Sequence, residues 1–108
     1  MIANMIAGIY GDVVTFNVEY LLIAGGGGGG SGQAGVINQG GGGGGAGGYL
    51  TSTRSVTQNA NFAITVGAGG TSANNSIGTS GVNSIFSNIT STGGGGGAID
   101  ANGVAGGS

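Results

Sequence analysis

The sequence predicts a mainly β, partly irregular protein in which short strands combine with a bundle of left-handed polyglycine II helices. Three observations predict it. Glycine fills 31 of 108 positions. Much of it lies in three blocks: Gly25, Gly26, Gly27, Gly28, Gly29 and Gly30; then Gly40, Gly41, Gly42, Gly43, Gly44 and Gly45; then Gly93, Gly94, Gly95, Gly96 and Gly97. Stretches rich in β-branched and aromatic residues adjoin the blocks, and only 4% of residues are charged.

A glycine run ordinarily reads as a flexible linker. Disordered chains, however, combine low hydrophobicity with high charge, whereas this one is 38% hydrophobic. Fixing a residue's backbone costs about 1–2 kcal/mol, and glycine loses the most freedom. An ordered block therefore needs a partner along its length. In an α-helix glycine is about 1 kcal/mol worse than alanine, and in a sheet it adds no side-chain packing. The extended left-handed helix with three residues per turn makes no internal hydrogen bonds, so its N–H and C=O groups point outward. Without Cβ atoms, such helices approach closely enough to bond one another laterally. Six residues at about 3.1 Å each give a rod of roughly 19 Å. Collagen uses similar helices but needs a Gly-X-Y repeat and proline, and proline is absent here. The block glycines are accordingly the expected assembly core.

Taken in order, Met1, Ile2, Met5, Ile6, Ile9 and Tyr10 repeat at about four residues, the spacing of one helix face. Residues 1–11 are too short for a stable isolated helix. They are expected to form an apolar arm that docks on another subunit through Ile2, Met5, Ile6, Ile9 and Tyr10. Residues 12–108 then form the glycine-rich domain. Asp12–Ala24 is the clearest strand, with Val14, Phe16, Val18, Tyr20 and Leu22 alternating against more polar neighbours. Its end, Leu21 to Ile23, is apolar on both faces and is expected to be buried.

Ser31–Gln39 reads as a loop. A short strand follows within Ala46–Thr53 with Tyr49 and Thr51 on one side, and then a polar turn from Arg54 to Asn61 with Arg54 as a solvated charge or paired with a carboxylate of a neighbouring copy. Phe62–Val66 alternates as a second strand and leads into Gly67–Gly70, read as a turn. Thr71–Gly81 reads as a loop. Val82–Thr92 reads as one strand, with Ser84, Phe86, Asn88 and Thr90 opposite Ile85, Ser87 and Ile89. Apolar packing is assigned to Phe16, Val18, Tyr20, Leu22, Phe62, Ile64, Val66, Ile85, Phe86 and Ile89.

Several function classes drop out. The chain has no histidine, cysteine or lysine, so nothing activates a serine or threonine nucleophile. Asp12, Glu19 and Asp100 are scattered and form neither a close carboxylate pair nor a metal site. Gly25, Gly27 and Gly30 match the dinucleotide fingerprint trivially, but no helix or suitably spaced acidic residue follows. Neither an enzyme nor a cofactor is expected. One cation cannot neutralise a phosphate backbone, so nucleic acid is not an expected partner. No apolar run reaches the roughly 20 residues of a membrane span, and residues 1–11 lack the basic start of a signal peptide. The sites Asn74-Asn75-Ser76 and Asn88-Ile89-Thr90 fit the glycosylation pattern, which arises by chance in so Asn- and Ser-rich a chain.

Tyr20-Leu-Leu-Ile-Ala followed by six glycines, then Gly40–Gly48 running into Tyr49, then Phe62-Ala-Ile-Thr-Val-Gly-Ala-Gly-Gly70, Val82-Asn-Ser-Ile-Phe86 and Thr90-Ser-Thr-Gly97 form an ordered set. The set resembles the glycine-rich domain of phage tail fibres and related adhesins over about Val18 to Ala98. The resemblance implies bundled polyglycine helices, a role in fibres or receptor-binding tips, and no catalysis. The leading expectation is a structural protein whose copies self-assemble into an extracellular or virion-surface fibre. A receptor-binding tip that reads a cell-surface glycan through Ser31–Gln39 and Thr71–Gly81 comes second, and an ice-binding protein third. The expected partners are copies of the chain itself, with a glycan or other fibre proteins as alternatives.

Overall fold

The computed structural model describes residues 13–37, 39–99 and 104–106. The arm, with Ile2, Met5, Ile6, Ile9 and Tyr10, lies outside the described residues, as do Asp12 and Asp100. Among the described residues the elements are five strands and no helix: β1 (Thr15–Ile23), β2 (Tyr49–Thr57), β3 (Ile64–Thr65), β4 (Ser84–Phe86) and β5 (Ile89–Ser91). They form an antiparallel pair β1-β2 and an antiparallel three-stranded sheet β3-β4-β5.

Each strand continues into a glycine-containing segment without changing partner. We label these segments G1 (24–31), G2 (41–48), G3 (67–73), G4 (76–82) and G5 (92–99). Along β1 and β2 the register runs from Thr15 opposite Thr57 to Ile23 opposite Tyr49. Beyond Ile23 the N–H groups of Ala24, Gly27 and Gly30 donate to the carbonyls of Gly48, Gly45 and Gly42 at 2.8–3.0 Å, in unbroken register. The second sheet behaves alike. Ser84 pairs with Ser91, and Gly81 and Gly78 then donate to Gly94 and Gly97. Ile64 pairs with Phe86, and Val82 and Thr79 then donate to Ala68 and Thr71.

What changes is the step. In the glycine-containing part, bonds to any one neighbour recur every third residue instead of every second. The register itself is kept: the residue numbers of each bonded pair sum to the same value in the strands and in the segments that follow them. The result is two layers, β1-G1 with G2-β2 against β3-G3, G4-β4 and β5-G5. Among the described glycines only Gly35 has a positive φ, 88°. It sits in the loop that joins G1 to G2.

The described buried residues show how unusual this interior is. Gly93 to Gly97 are all buried, while the buried hydrophobic side chains are Leu22, Ala24, Val56 and Ala98. Backbone fills the space that side chains occupy in an ordinary core.

Several expectations need correction. Val82–Thr92 is a hairpin and not one strand, because Ser87 takes φ 58° and the chain reverses at Ser87-Asn88. β2 runs to Thr57, so Arg54 lies in a strand; the reversal comes later, at Asn59, with φ 62°. Only Ile64 and Thr65 of Phe62–Val66 are in a strand. Gly67–Gly70 is no turn and much of Thr71–Gly81 is no loop, since these residues belong to G3 and G4. Leu21 and Ile23 are more than half exposed, because only one face of the two-stranded pair is covered. Phe16, Ile64 and Val66, assigned to packing, are likewise exposed. Phe16 lies opposite Val56, one residue from the open end of the β1-β2 pair. β3 is an edge strand of two residues.

Candidate functional site

The feature that distinguishes this molecule is the interface between its glycine segments. G1 touches four others. Its N–H groups at positions 24, 27 and 30 go to G2, and those at 25, 28 and 31 go to Val82, Thr79 and Ser76 of G4. Its carbonyls at 25 and 28 accept from Gly94 and Gly97 of G5, and those at 26 and 29 accept from Gly70 and Ala73 of G3. G5 accepts from G2 as well, with Gly42, Gly45 and Gly48 donating to Ala98, Gly95 and Thr92 at 2.7–2.8 Å. Consecutive residues thus turn to different neighbours, and the same neighbour returns after three.

Such spacing leaves no room for side chains. A Cβ placed on any of Gly93 to Gly97 would overlap a backbone atom of an adjacent segment, as it would on Gly25, Gly27, Gly28 and Gly30. Gly26 and Gly29 differ. Their nearest atoms, the carbonyls of Gly45 and Gly42, lie at 3.5 Å, an ordinary contact. The outward positions of the second block are Gly40, just before G2, and Gly43 within it, with nothing within 4 Å, and the third member of that series is Ala46, which is exposed. The predicted assembly-core glycines therefore fall into two groups. Those of G5 are buried and those of G1 half-buried except for the buried Gly28, whereas Gly40 to Gly45 lie at the surface of the bundle.

Sequence reasoning missed G3 and G4. The available signal was a three-residue recurrence, Gly67 with Gly70 and Gly78 with Gly81. These four glycines face carbonyls of adjacent segments, while Ser76, Ile77, Thr79, Ser80 and Val82 carry exposed side chains between them. Only the inward third of a segment must lack Cβ, so an outer segment tolerates a loop-like composition.

Three polar side chains, also missed, join the sheets to the bundle. The hydroxyl of Ser84, 1% exposed, accepts from Gly67 N–H at 2.9 Å. The Asn83 amide oxygen accepts from Gly93 N–H at 2.9 Å. Ser91, 3% exposed, donates to the Gly48 carbonyl at 2.7 Å. No buried side-chain polar atom among the described residues lacks a partner.

Aromatic packing holds the two sheets together. Phe86 meets Tyr20 edge-on with centroids 5.4 Å apart and Phe62 at 5.8 Å. Arg54 is not a solvated turn charge. Its guanidinium carbon lies 5.4 Å from the ring centres of both Phe62 and Phe86, and it donates to Asn88 Oδ1 at 2.6 Å and Ser87 Oγ at 3.3 Å. It fixes the β4-β5 turn. Val18, Ile85 and Ile89 are half-buried nearby. An apolar cavity of about 190 Å³ opens between Val18, Tyr20, Leu21, Leu22, Ile64 and Phe86. A wider cleft of about 420 Å³ runs between Tyr49, Ala46 and the Gly95–Val104 contact.

Among the described residues there is no group of three or more acidic, histidine or cysteine side chains placed to hold a metal ion. Nor is any helix long and apolar enough to cross a membrane. No curated protein and no solved structure matches the chain. A family model described as a glycine-rich domain matches residues 12–108. With that match covering nearly the whole sequence, the chain belongs to the glycine-rich domain family.

Proposed function

We propose that this is a non-enzymatic structural protein whose copies assemble into an extracellular or virion-associated fibre, with its glycine segments acting as polyglycine II rods. The reading is carried by the three-residue recurrence of hydrogen bonds around G1 and G5. Three residues per turn without internal bonds is the signature of that helix, and negative φ angles in the segments agree with its hand. A stack of such rods is stiff, since every lateral contact is a directional backbone bond with no side chain to rearrange. Stiffness of this kind suits a fibre element more than a ligand-binding pocket.

Two further observations favour association of copies. The formal net charge is only −2, so repulsion between molecules is weak. Large hydrophobic side chains are exposed at several places, among them Leu21, Ile23, Tyr49 and Val66, and patches of this kind mark interaction surfaces. Electron microscopy of negatively stained protein, with and without residues 1–11, tests the proposal. Filaments are expected only with the arm. Discrete particles in both preparations would sink it.

A receptor-binding tip is the second reading, favoured by one observation. The loop after Ser31 and the turn at Asn74-Asn75 meet at one end of the bundle, where Ser31 bridges Ser76. Exchange of both turns with retained host-cell binding would dispose of it.

A further inference from the structure

The two ends of the molecule differ. At one end is the open end of the β1-β2 pair, where β1 begins and β2 finishes: Thr15 pairs with Thr57 and Gln58 N–H donates to Val14. The apolar residues 1–11 are attached there. At the opposite end, G1 and G4 meet at the Ser31–Ser76 bridge, and G2 and G5 meet at the Gly41–Ile99 bridge. That far end carries Ile37, 87% exposed, with Val36 and Ile77, each 44% exposed. Residues 31–41 and 73–77 contain no charged side chain, and neither do residues 1–11.

We infer that the far end, centred on Ile37, Val36 and Ile77, is the acceptor for residues 1–11 of a second copy of this chain, so that copies join head to tail. This rests on the fibre reading above and gives it a direction.

Chain length selects the second copy. From the open end to the far end the path follows nine residues of β1 at about 3.3 Å each and eight of G1 at about 3.1 Å, roughly 55 Å in total. The twelve residues before Val13 span at most about 43 Å when fully extended, and about 18 Å as a helix. They cannot lie over the far end of their own molecule. A neighbour placed end-on brings its Ile37 beside the open end from which the arm departs. Neither surface carries a charge, so their contact removes no charge from water, and Val36, Ile37 and Ile77 offer the arm an apolar patch among amide and hydroxyl side chains. A head-to-tail contact of this sort propagates as an open filament unless its rotation closes a ring.

The chain has no cysteine, which makes the test clean. One preparation carries Ile6→Cys, another Ile37→Cys, and the two are mixed under assembly conditions and oxidised. A disulfide between the two different chains is expected, and a chain carrying both changes should give a covalent ladder on a non-reducing gel. Ile37→Asp, at a position too exposed to disturb folding, should abolish polymer at concentrations where the parent is fully polymeric, with an unchanged melting temperature. Filaments that persist in Ile37→Asp, or that form without the mixed disulfide, would overturn the head-to-tail assignment and leave the fibre reading standing. Ring closure within the doubly substituted single chain would also overturn it. Failure of the unsubstituted protein to form any filament removes both readings.

Discussion

The amide of Gly94 donates to the carbonyl of Gly25 at 2.8 Å, and three residues later Gly97 repeats the bond to Gly28 at the same distance. These two parallel segments, G5 and G1, are distant in sequence and adjacent in space. Together they form the spine on which G2, G3 and G4 are laid. Most of what can be predicted about the molecule follows from how closely their backbones approach.

Within G1, substitution should follow a period of three. Gly28→Ala places a methyl on the Thr71 carbonyl and should cost at least the 1–3 kcal/mol (roughly) of an overpacked core. Gly29→Ala, with 3.5 Å to its nearest atom, should melt within a few degrees of the parent. Gly27→Val should prevent assembly altogether. Thermal melts of the three proteins check the pattern, and equal losses at positions 28 and 29 would contradict it.

Between segments, the contrast is enclosure. Gly96→Ala drives a Cβ into the Gly78 carbonyl, whereas Gly43→Ala meets nothing within 4 Å. The first should be severely destabilising. The second should raise stability by about 0.4–1 kcal/mol, because alanine has fewer unfolded conformations to lose. Urea titrations followed by circular dichroism would show the two midpoints moving in opposite directions.

Ser84→Ala removes the acceptor for Gly67 N–H at the junction of sheet and bundle. An unpaired, partly buried donor should cost about 1–3 kcal/mol. Ser91→Ala should cost less. The Gly48 carbonyl that it serves also accepts from Ala24 N–H. A smaller effect at Ser84 than at Ser91 would mean that solvent reaches Gly67 freely.

Arg54→Lys should not preserve the link between the sheets. A guanidinium presents a flat face to Phe62 and Phe86 while donating to Asn88 and Ser87, and an ammonium cannot do both. The expected loss is about 0.5–2 kcal/mol. It should be read as a lower melting temperature together with a changed near-ultraviolet signal from Tyr20, which touches Phe86.

Salt should matter little. With four charged side chains, three acidic and one basic, in the whole chain, raising sodium chloride from about 0.01 M to about 1 M shortens the Debye length tenfold but screens almost nothing. Neither the melting temperature nor the onset of assembly should shift by more than a few degrees or a few-fold in concentration. A strong salt dependence would point to an interface built on Glu19 and Arg54.

Some of this architecture was legible in the residues themselves. The alternation of Phe16, Val18, Tyr20 and Leu22 fixes β1. The cost of ordering Gly25 to Gly30 implies that the run must be bonded along its sides. Both conclusions follow from properties local to a few residues, namely side-chain period and backbone entropy. Tertiary structure alone decided the rest. It chose Gly93–Gly97 as the enclosed segment and left Gly41–Gly45 at the surface, although the two runs are chemically identical. It recruited Gly67–Ala73 and Ser76–Val82 into the bundle, and it placed Arg54 between two rings. A glycine run carries no side chain to encode which neighbours it takes. Its place in the bundle is set by the registers of the strands attached to it, and those registers exist only once the sheets have paired.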